Sequence, residues 1–159
     1  MNRLAAILDV DDVKVDVPAE SRLTLFLDAA LVLQRHGWAG ALTAVTDALT
    51  ERERLASTCL GHGVAIPHAR LKGLKRALAA VIRLREPLTF GGPDDEPVTL
   101  FIFLFVPEMA TQSDLEILGE IAEMLSDKEV RDRLKHKGDA NAVYACIAEW
   151  TPASTVGSG

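Results

Sequence analysis

Aromatic residues are scarce in this 159-residue chain, at 5%, and it has only two cysteines and no excess of positive charge. Each shortage excludes something. With so few rings, the core is expected to rest on Leu, Ile, Val and Ala. Cys59 and Cys146 lie far apart and fit no metal or redox spacing. They read as two reduced thiols in a cytoplasmic protein. The longest apolar run, Leu100 to Val106, is too short to span a bilayer. The short apolar stretch after Met1-Asn2-Arg3 soon meets Asp9, Asp11 and Asp12, so neither a signal peptide nor membrane insertion is expected. A net charge of -6, with no basic stripe, has the wrong sign for counterion release, so no nucleic-acid partner is expected.

The remaining composition is that of a soluble globular domain, 48% apolar and 25% charged. The length suits one domain with its own core. Residues 1–75 balance nine bases against nine acids, whereas 76–159 hold eight bases and fourteen acids. Much of that acidic excess lies between Glu108 and Glu129, as a solvated helix face or a surface that steers a basic partner.

Hydrophobic spacing divides the chain into elements. Leu4 to Leu8 suits one helical turn, and Val13 to Val17 alternates like a strand that Pro18 ends. Ser21 opens an amphipathic helix carrying Leu23, Leu27, Ala30 and Leu31, which Gly37 stops. A second helix is expected from Ala41 to Arg54. Val64-Ala65-Ile66 reads as a short buried strand ending at Pro67, and Ala77 to Leu84 as another. Gly91-Gly92-Pro93-Asp94-Asp95 marks a loop. Val98 to Val106 is the best strand, continuously apolar and therefore central and covered on both faces. Helices follow at 112–125, 128–136 and 140–150. The tail from Thr151 to Gly159 is small and polar, and is expected to be disordered. Together these elements predict a single α/β domain over residues 1–150. Its mixed, mostly parallel sheet is expected to be flanked by helices on both faces.

One stretch concentrates chemistry: Arg52-Glu53-Arg54-Leu55-Ala56-Ser57-Thr58-Cys59-Leu60-Gly61-His62-Gly63-Val64-Ala65-Ile66-Pro67-His68. Gly61 and Gly63 permit unusual backbone angles. Pro67 holds Ile66 extended and stiffens the chain, which puts His68 at a strand's exit, where ligands gather in open α/β sheets. Imidazole is largely neutral near pH 7, and one ring nitrogen attacks phosphorus while a hydrogen bond at the other fixes the tautomer. Donors are then needed around the phosphoryl oxygens. Arg52, the Ser57 and Thr58 hydroxyls and glycine-flanked backbone N–H groups are candidates. On residue chemistry alone, His68 also suits a structural or surface role.

The run Arg-Glu-x-x-x-Ser-Thr-x-x-Gly-x-Gly-Val-Ala-Ile-Pro-His resembles the signature of the fructose/mannitol-type (type 2) EIIA domains of the bacterial phosphoenolpyruvate-dependent phosphotransferase system. A free-standing chain of this length is most similar to their nitrogen-regulatory branch. The likeness extends over residues 4–150 and includes Val98–Pro107 and the following helix. It implies a mixed sheet flanked by helices, with His68 as the phosphorylated histidine, Arg52 beside it, and Ser57 and Thr58 as the small hydroxyl pair on the approaching loop. It further implies an HPr-like phosphocarrier protein as donor, and regulatory target proteins bound according to phosphorylation state. No cofactor and no metal are implied. The resemblance implies a relay component with a phosphohistidine intermediate, carrying out phosphoryl transfer without turnover on its own.

Two positions depart from the pattern, and His62 stands at a position the pattern leaves open. The family places a second histidine where Asp114 stands, in Ser113-Asp114-Leu115-Glu116-Ile117-Leu118. A carboxylate there is either a helix cap or a charge that raises the His68 pKa and opposes a bound phosphoryl group. Cys59 occupies a glycine position, which is expected to alter the loop. His62, six residues before His68, has no Cys or carboxylate suitably beside it for a metal pair, and is expected to be a loop histidine near the phosphate. His36 and His136 read as capping or exposed residues. Two other readings share this fold: a regulatory binding module that is not phosphorylated, and the EIIA subunit of a fructose- or mannitol-type transporter.

Overall fold

The strand that organises the molecule is the one that looks most like a strand in the sequence, Val98–Pro107, and every side chain from Leu100 to Val106 in it is buried. Alternation along it separates two cores. Phe101, Phe103 and Phe105 face one side, while Leu100, Ile102, Leu104 and Val106 face the other. Residues 2–153 are described by a computed structural model. Numbered in chain order, the strands are β1 (Val13–Val17), β2 (Cys59–Gly61), β3 (Val64–Ala65), β4 (His68–Leu71), β5 (Leu78–Leu88) and β6 (Val98–Pro107). The helices are α1 (Arg3–Ile7), α2 (Arg22–Arg35), α3 (Leu42–Leu55), α4 (Gln112–Ser126), α5 (Lys128–His136) and α6 (Ala140–Glu149), with a 3-10 turn at Val10–Asp12.

The sheet runs β1-β5-β6-β3-β2, with β4 also lying against β6. β1 on β5, β3 on β6 and β4 on β6 are parallel, whereas β5 on β6 and β2 on β3 are antiparallel. The Phe-bearing face is covered by α2 and α3 through Leu25, Phe26, Leu33, Val45 and Leu49. The other face is covered by α1, α4, α5 and α6 through Leu4, Ile117, Ile121, Leu134, Val143 and Ile147. This is the α/β arrangement expected, a mixed sheet with helices on both sides. The helix starts follow local chemistry. The Ser21 hydroxyl accepts the Thr24 N–H at the head of α2, and Asp127 and Asp139 cap α5 and α6 in the same way.

Some expectations are corrected. The core does not rest on aliphatic residues alone. All five phenylalanines are buried in one cluster, with Phe26 edge-on to Phe103 at 6.1 Å and Phe90 edge-on to Phe101 at 5.2 Å. Rings are few, but each buries a large area and each such pair adds about 0.5–1.5 kcal/mol beyond it. Pairing also does not stop at Pro67. β3 and β4 follow β6 in one unbroken register, Val64 with Leu100, Ala65 with Phe101, and then His68 with Leu104. Pro67 lacks only its N–H and still accepts from the Leu104 N–H through its carbonyl at 3.0 Å. His68 therefore opens a strand instead of leaving one. β5 runs on to Leu88, past its expected end at Leu84, and β2 is an additional short strand. The expected tail falls mostly on residues 154–159, which lie outside the described residues. Before them, Pro152 is buried and the Ala153 N–H donates to Glu123 Oε2 at 2.9 Å.

Candidate functional site

His68 shares its register position on the sheet with Leu104, so its ring projects to the face covered by α4. Among the described residues β4 pairs only with β6, with no strand on its outer edge. Across that edge, Arg52, from the last turn of α3, reaches the imidazole. Its Nε–H donates to His68 Nε2 at 3.2 Å, and its Nη1 donates to the Ala56 carbonyl at 2.8 Å. His68 Nδ1 lies 2.8 Å from the Ile66 carbonyl. A carbonyl only accepts, so Nδ1 carries the proton, and the lone pair is on Nε2. Both contacts assign the same tautomer.

Electrostatics favour the neutral ring. Burial pushes the His68 pKa below its ordinary value, and the Arg52 cation pushes it the same way. The Ile66 carbonyl and the charge of Glu53 oppose them. The net direction is the reverse of the one expected from Asp114. That carboxylate is committed elsewhere: Asp114 Oδ2 accepts the Thr111 N–H at 2.9 Å, while the Thr111 hydroxyl accepts the Asp114 N–H at 3.2 Å. This is a reciprocal capping box at the head of α4. Asp114 still lines the same cavity as His68, a cleft of about 410 Å³ also bounded by Arg52, Arg70, Leu55, Leu115 and Leu118. The cap and the shared cavity hold together.

The hydroxyl pair is engaged with partners other than the ring. Ser57 is exposed and its Oγ accepts the Cys59 N–H at 3.1 Å. Thr58 is buried, with its hydroxyl donating to Glu53 Oε1 and its N–H to Glu53 Oε2 at 3.1 Å. Glu53, which the sequence reading left without a role, is itself only 7% exposed. Its place in the Arg-Glu-x-x-x-Ser-Thr run, five residues before Thr58, is the signal that marks it. Cys59 is accommodated by a second glycine, since a Cβ on Gly92 would collide with its Sγ. Burial raises that thiol's pKa, which keeps it protonated and inert.

His62 lies in left-handed backbone at φ 56° and takes no part in the His68 cleft as described. The sequence placed no carboxylate suitably near it, but the fold does. Asp94 and Glu96 come round on the β5–β6 loop, with ligand atoms of all three within 4.8 Å of one another. The cluster is exposed, and Asp94 already accepts the His62 and Glu96 N–H groups, which hold its carboxyl below the usual range. This is turn chemistry. A similar grouping of Asp9, Asp12 and His36 is filled by a cation of the chain's own, because Arg35 grips both oxygens of buried Asp12 at 3.0 and 2.7 Å. No helix among the described residues is long and apolar enough to cross a membrane.

Comparison with known proteins agrees with this architecture. The family described as "Phosphoenolpyruvate-dependent sugar phosphotransferase system, EIIA 2" matches residues 6–150. A nitrogen regulatory protein of Pseudomonas aeruginosa is 38% identical over 149 residues, spanning 94% of this chain and 97% of that one. The crystal structure of nitrogen regulatory protein IIA-Ntr from Neisseria meningitidis superposes with a TM-score of 0.85 at 40% identity, covering 92% of this chain and 99% of that one. The crystal structure of IIA mannitol from Escherichia coli shares the fold at 20% identity, with a TM-score of 0.71 over 87% of this chain and 97% of that one. By its matched length, its topology and its relatives, the chain belongs to the phosphotransferase-system EIIA type-2 family, on the nitrogen-regulatory branch.

Proposed function

We propose that the protein is a cytoplasmic phosphocarrier and regulator. In this reading it accepts a phosphoryl group on Nε2 of His68 from an HPr-like phosphocarrier protein and binds regulatory targets according to its phosphorylation state. The observation that carries the reading is the tautomer. A proton held on Nδ1 by the Ile66 carbonyl leaves Nε2 with its lone pair at the cleft. In transfer, the Arg52 Nε–H gives up Nε2, and that lone pair forms the new N–P bond as the bond from phosphorus to the donor's histidine nitrogen breaks, the donor nitrogen keeping the electron pair. Nδ1 retains its proton, and the Ile66 carbonyl stabilises the positive charge that the ring acquires. Arg52 stands within reach of the phosphoryl oxygens, where its planar fork of donors suits a dianion. Exposed Leu55 and Leu115 at the rim offer a carrier protein an apolar surface to pack on. Two free, buried cysteines suit a reducing compartment.

A second reading, a regulatory module that is not phosphorylated, draws on Asp114 lining the cleft where the family has a histidine. One experiment separates the two. The protein is incubated with phosphoenolpyruvate, the first enzyme of the relay and an HPr-type carrier, and its intact mass is then measured. Gain of a single acid-labile phosphoryl group, absent from a folded His68→Ala variant, is the expected result. No gain in the wild type selects the second reading, and uptake by His68→Ala overturns the site.

A further inference from the structure

Glu53 is one of the few buried charged residues in the described molecule, and no Lys, Arg or His pairs with its carboxylate among the described residues. A buried carboxylate is costly unless its oxygens are satisfied. Here both are, and both by the same residue, through the N–H and the hydroxyl of Thr58. The connection continues from there. The Thr58 carbonyl accepts the Ile66 N–H at 3.1 Å. The Ile66 carbonyl in turn accepts His68 Nδ1–H at 2.8 Å. Three residues thus link a rigid helix, α3, to the ring nitrogen that does not react. Arg52, the neighbour of Glu53 on the same helix, holds the ring nitrogen that does.

We propose that Glu53 is a positioning residue for phosphoryl acceptance by His68, acting through Thr58 and Ile66 to hold the Ile66 carbonyl on Nδ1 and keep the lone pair on Nε2. This rests on the function proposed above. Fixing the loop from Ser57 to Gly61 would by itself need only one bond to Thr58. Two bonds from a single carboxylate hold both the N–H and the side chain of Thr58, and so restrain the residue whose carbonyl, in the next peptide unit, accepts from Ile66. The residue does not touch the phosphoryl group. Its effect resembles that of the partner that orients a metal-bound histidine, where loss costs roughly 10- to 100-fold in activity. Glu53 also faces His68 electrostatically, where its charge works against burial and against Arg52.

The test uses Glu53→Gln, Thr58→Val and Thr58→Ser in the full chain, with ring-nitrogen NMR of His68 in the unphosphorylated protein and rates of phosphoryl uptake from an HPr-type carrier. Glu53→Gln and Thr58→Val should raise the share of the Nε2–H tautomer and slow uptake by about 10- to 100-fold. Thr58→Ser keeps the hydroxyl and should restore what Thr58→Val loses. Folded variants with an unchanged tautomer balance overturn the proposal, and so does slow uptake with the tautomer intact. If Glu53→Gln does not fold, the Thr58 pair decides by the same readouts. If the wild type takes up no phosphoryl group, the proposed function fails. The NMR comparison then still decides the positioning role, with a shift supporting it and no shift removing it.

Discussion

Replacing Arg52 by alanine removes the cation beside Nε2 together with a bond that ties the guanidinium to the Ala56 carbonyl. Two effects follow, of opposite kinds. In the resting protein Arg52 disfavours the imidazolium, so its loss should move the His68 pKa back toward the ordinary histidine value. In the proposed phosphorylated form the guanidinium would face a dianionic group. Hydrogen bonds to charged partners contribute about 1.5–3 kcal/mol each, which corresponds to roughly 10- to 150-fold in rate or occupancy. Phosphoryl uptake should therefore slow, and the phosphohistidine should be shorter-lived, by about that factor for a single lost bond. Arg52→Lys separates the two effects. It keeps a charge near the ring and so keeps most of the pKa effect, but it lacks the fork and should recover little of the phosphoryl stabilisation. The assay is a time course of intact mass during loading and after removal of the donor, paired with an NMR titration of His68. Uptake and lifetime within twofold of wild type in Arg52→Ala, or an imidazole pKa that falls further, would refute the role assigned to the guanidinium.

Burial of His68 has a sign that stability against pH should report. Its folded pKa lies below the unfolded one, so as pH falls through about 6.5 the unfolded chain takes the proton first and stability declines, with no such contribution above that pH. Denaturant midpoints at pH 7.5 and 5.5 should accordingly drop less for His68→Gln than for wild type, and an equal drop would mean the ring is not held neutral. Asp114→Asn keeps a capping side chain but removes the charge from the cleft. Uptake of phosphoryl should rise a few-fold at low salt and less at high salt, whereas a rate unchanged at both would leave Asp114 as a cap alone. Phe103→Ala removes a ring with no exposed surface from the centre of the aromatic cluster. A loss of about 3–5 kcal/mol is expected in denaturant unfolding, and a loss under 1 kcal/mol would show that the cluster is loosely packed.

Much of the architecture was readable from local pattern. The helix from Ser21, the helix from Gln112 and the strand Val98–Val106 begin and end within a few residues of their expected bounds, although the first buries Leu25, Phe26, Ala29 and Leu33 and leaves Leu23 and Leu31, expected on its apolar face, exposed. The motif from Arg52 to His68 likewise carried its own meaning, and the fold brings its two ends within 3.2 Å. Tertiary structure alone decided the rest. Pro67 reads as a stop, but β6 offers a ladder on which pairing resumes at His68, so the histidine sits on a strand instead of a loop. Thr58 reads as a phosphate donor until the helix that carries Glu53 packs beside it and claims both of its donors. Asp94 and Glu96 meet His62 only because a loop distant in sequence folds over it. Sequence patterns report what a residue does with its near neighbours. Which buried polar group pairs with which is settled when the sheet closes, because each group must then take the partner that packing leaves within reach.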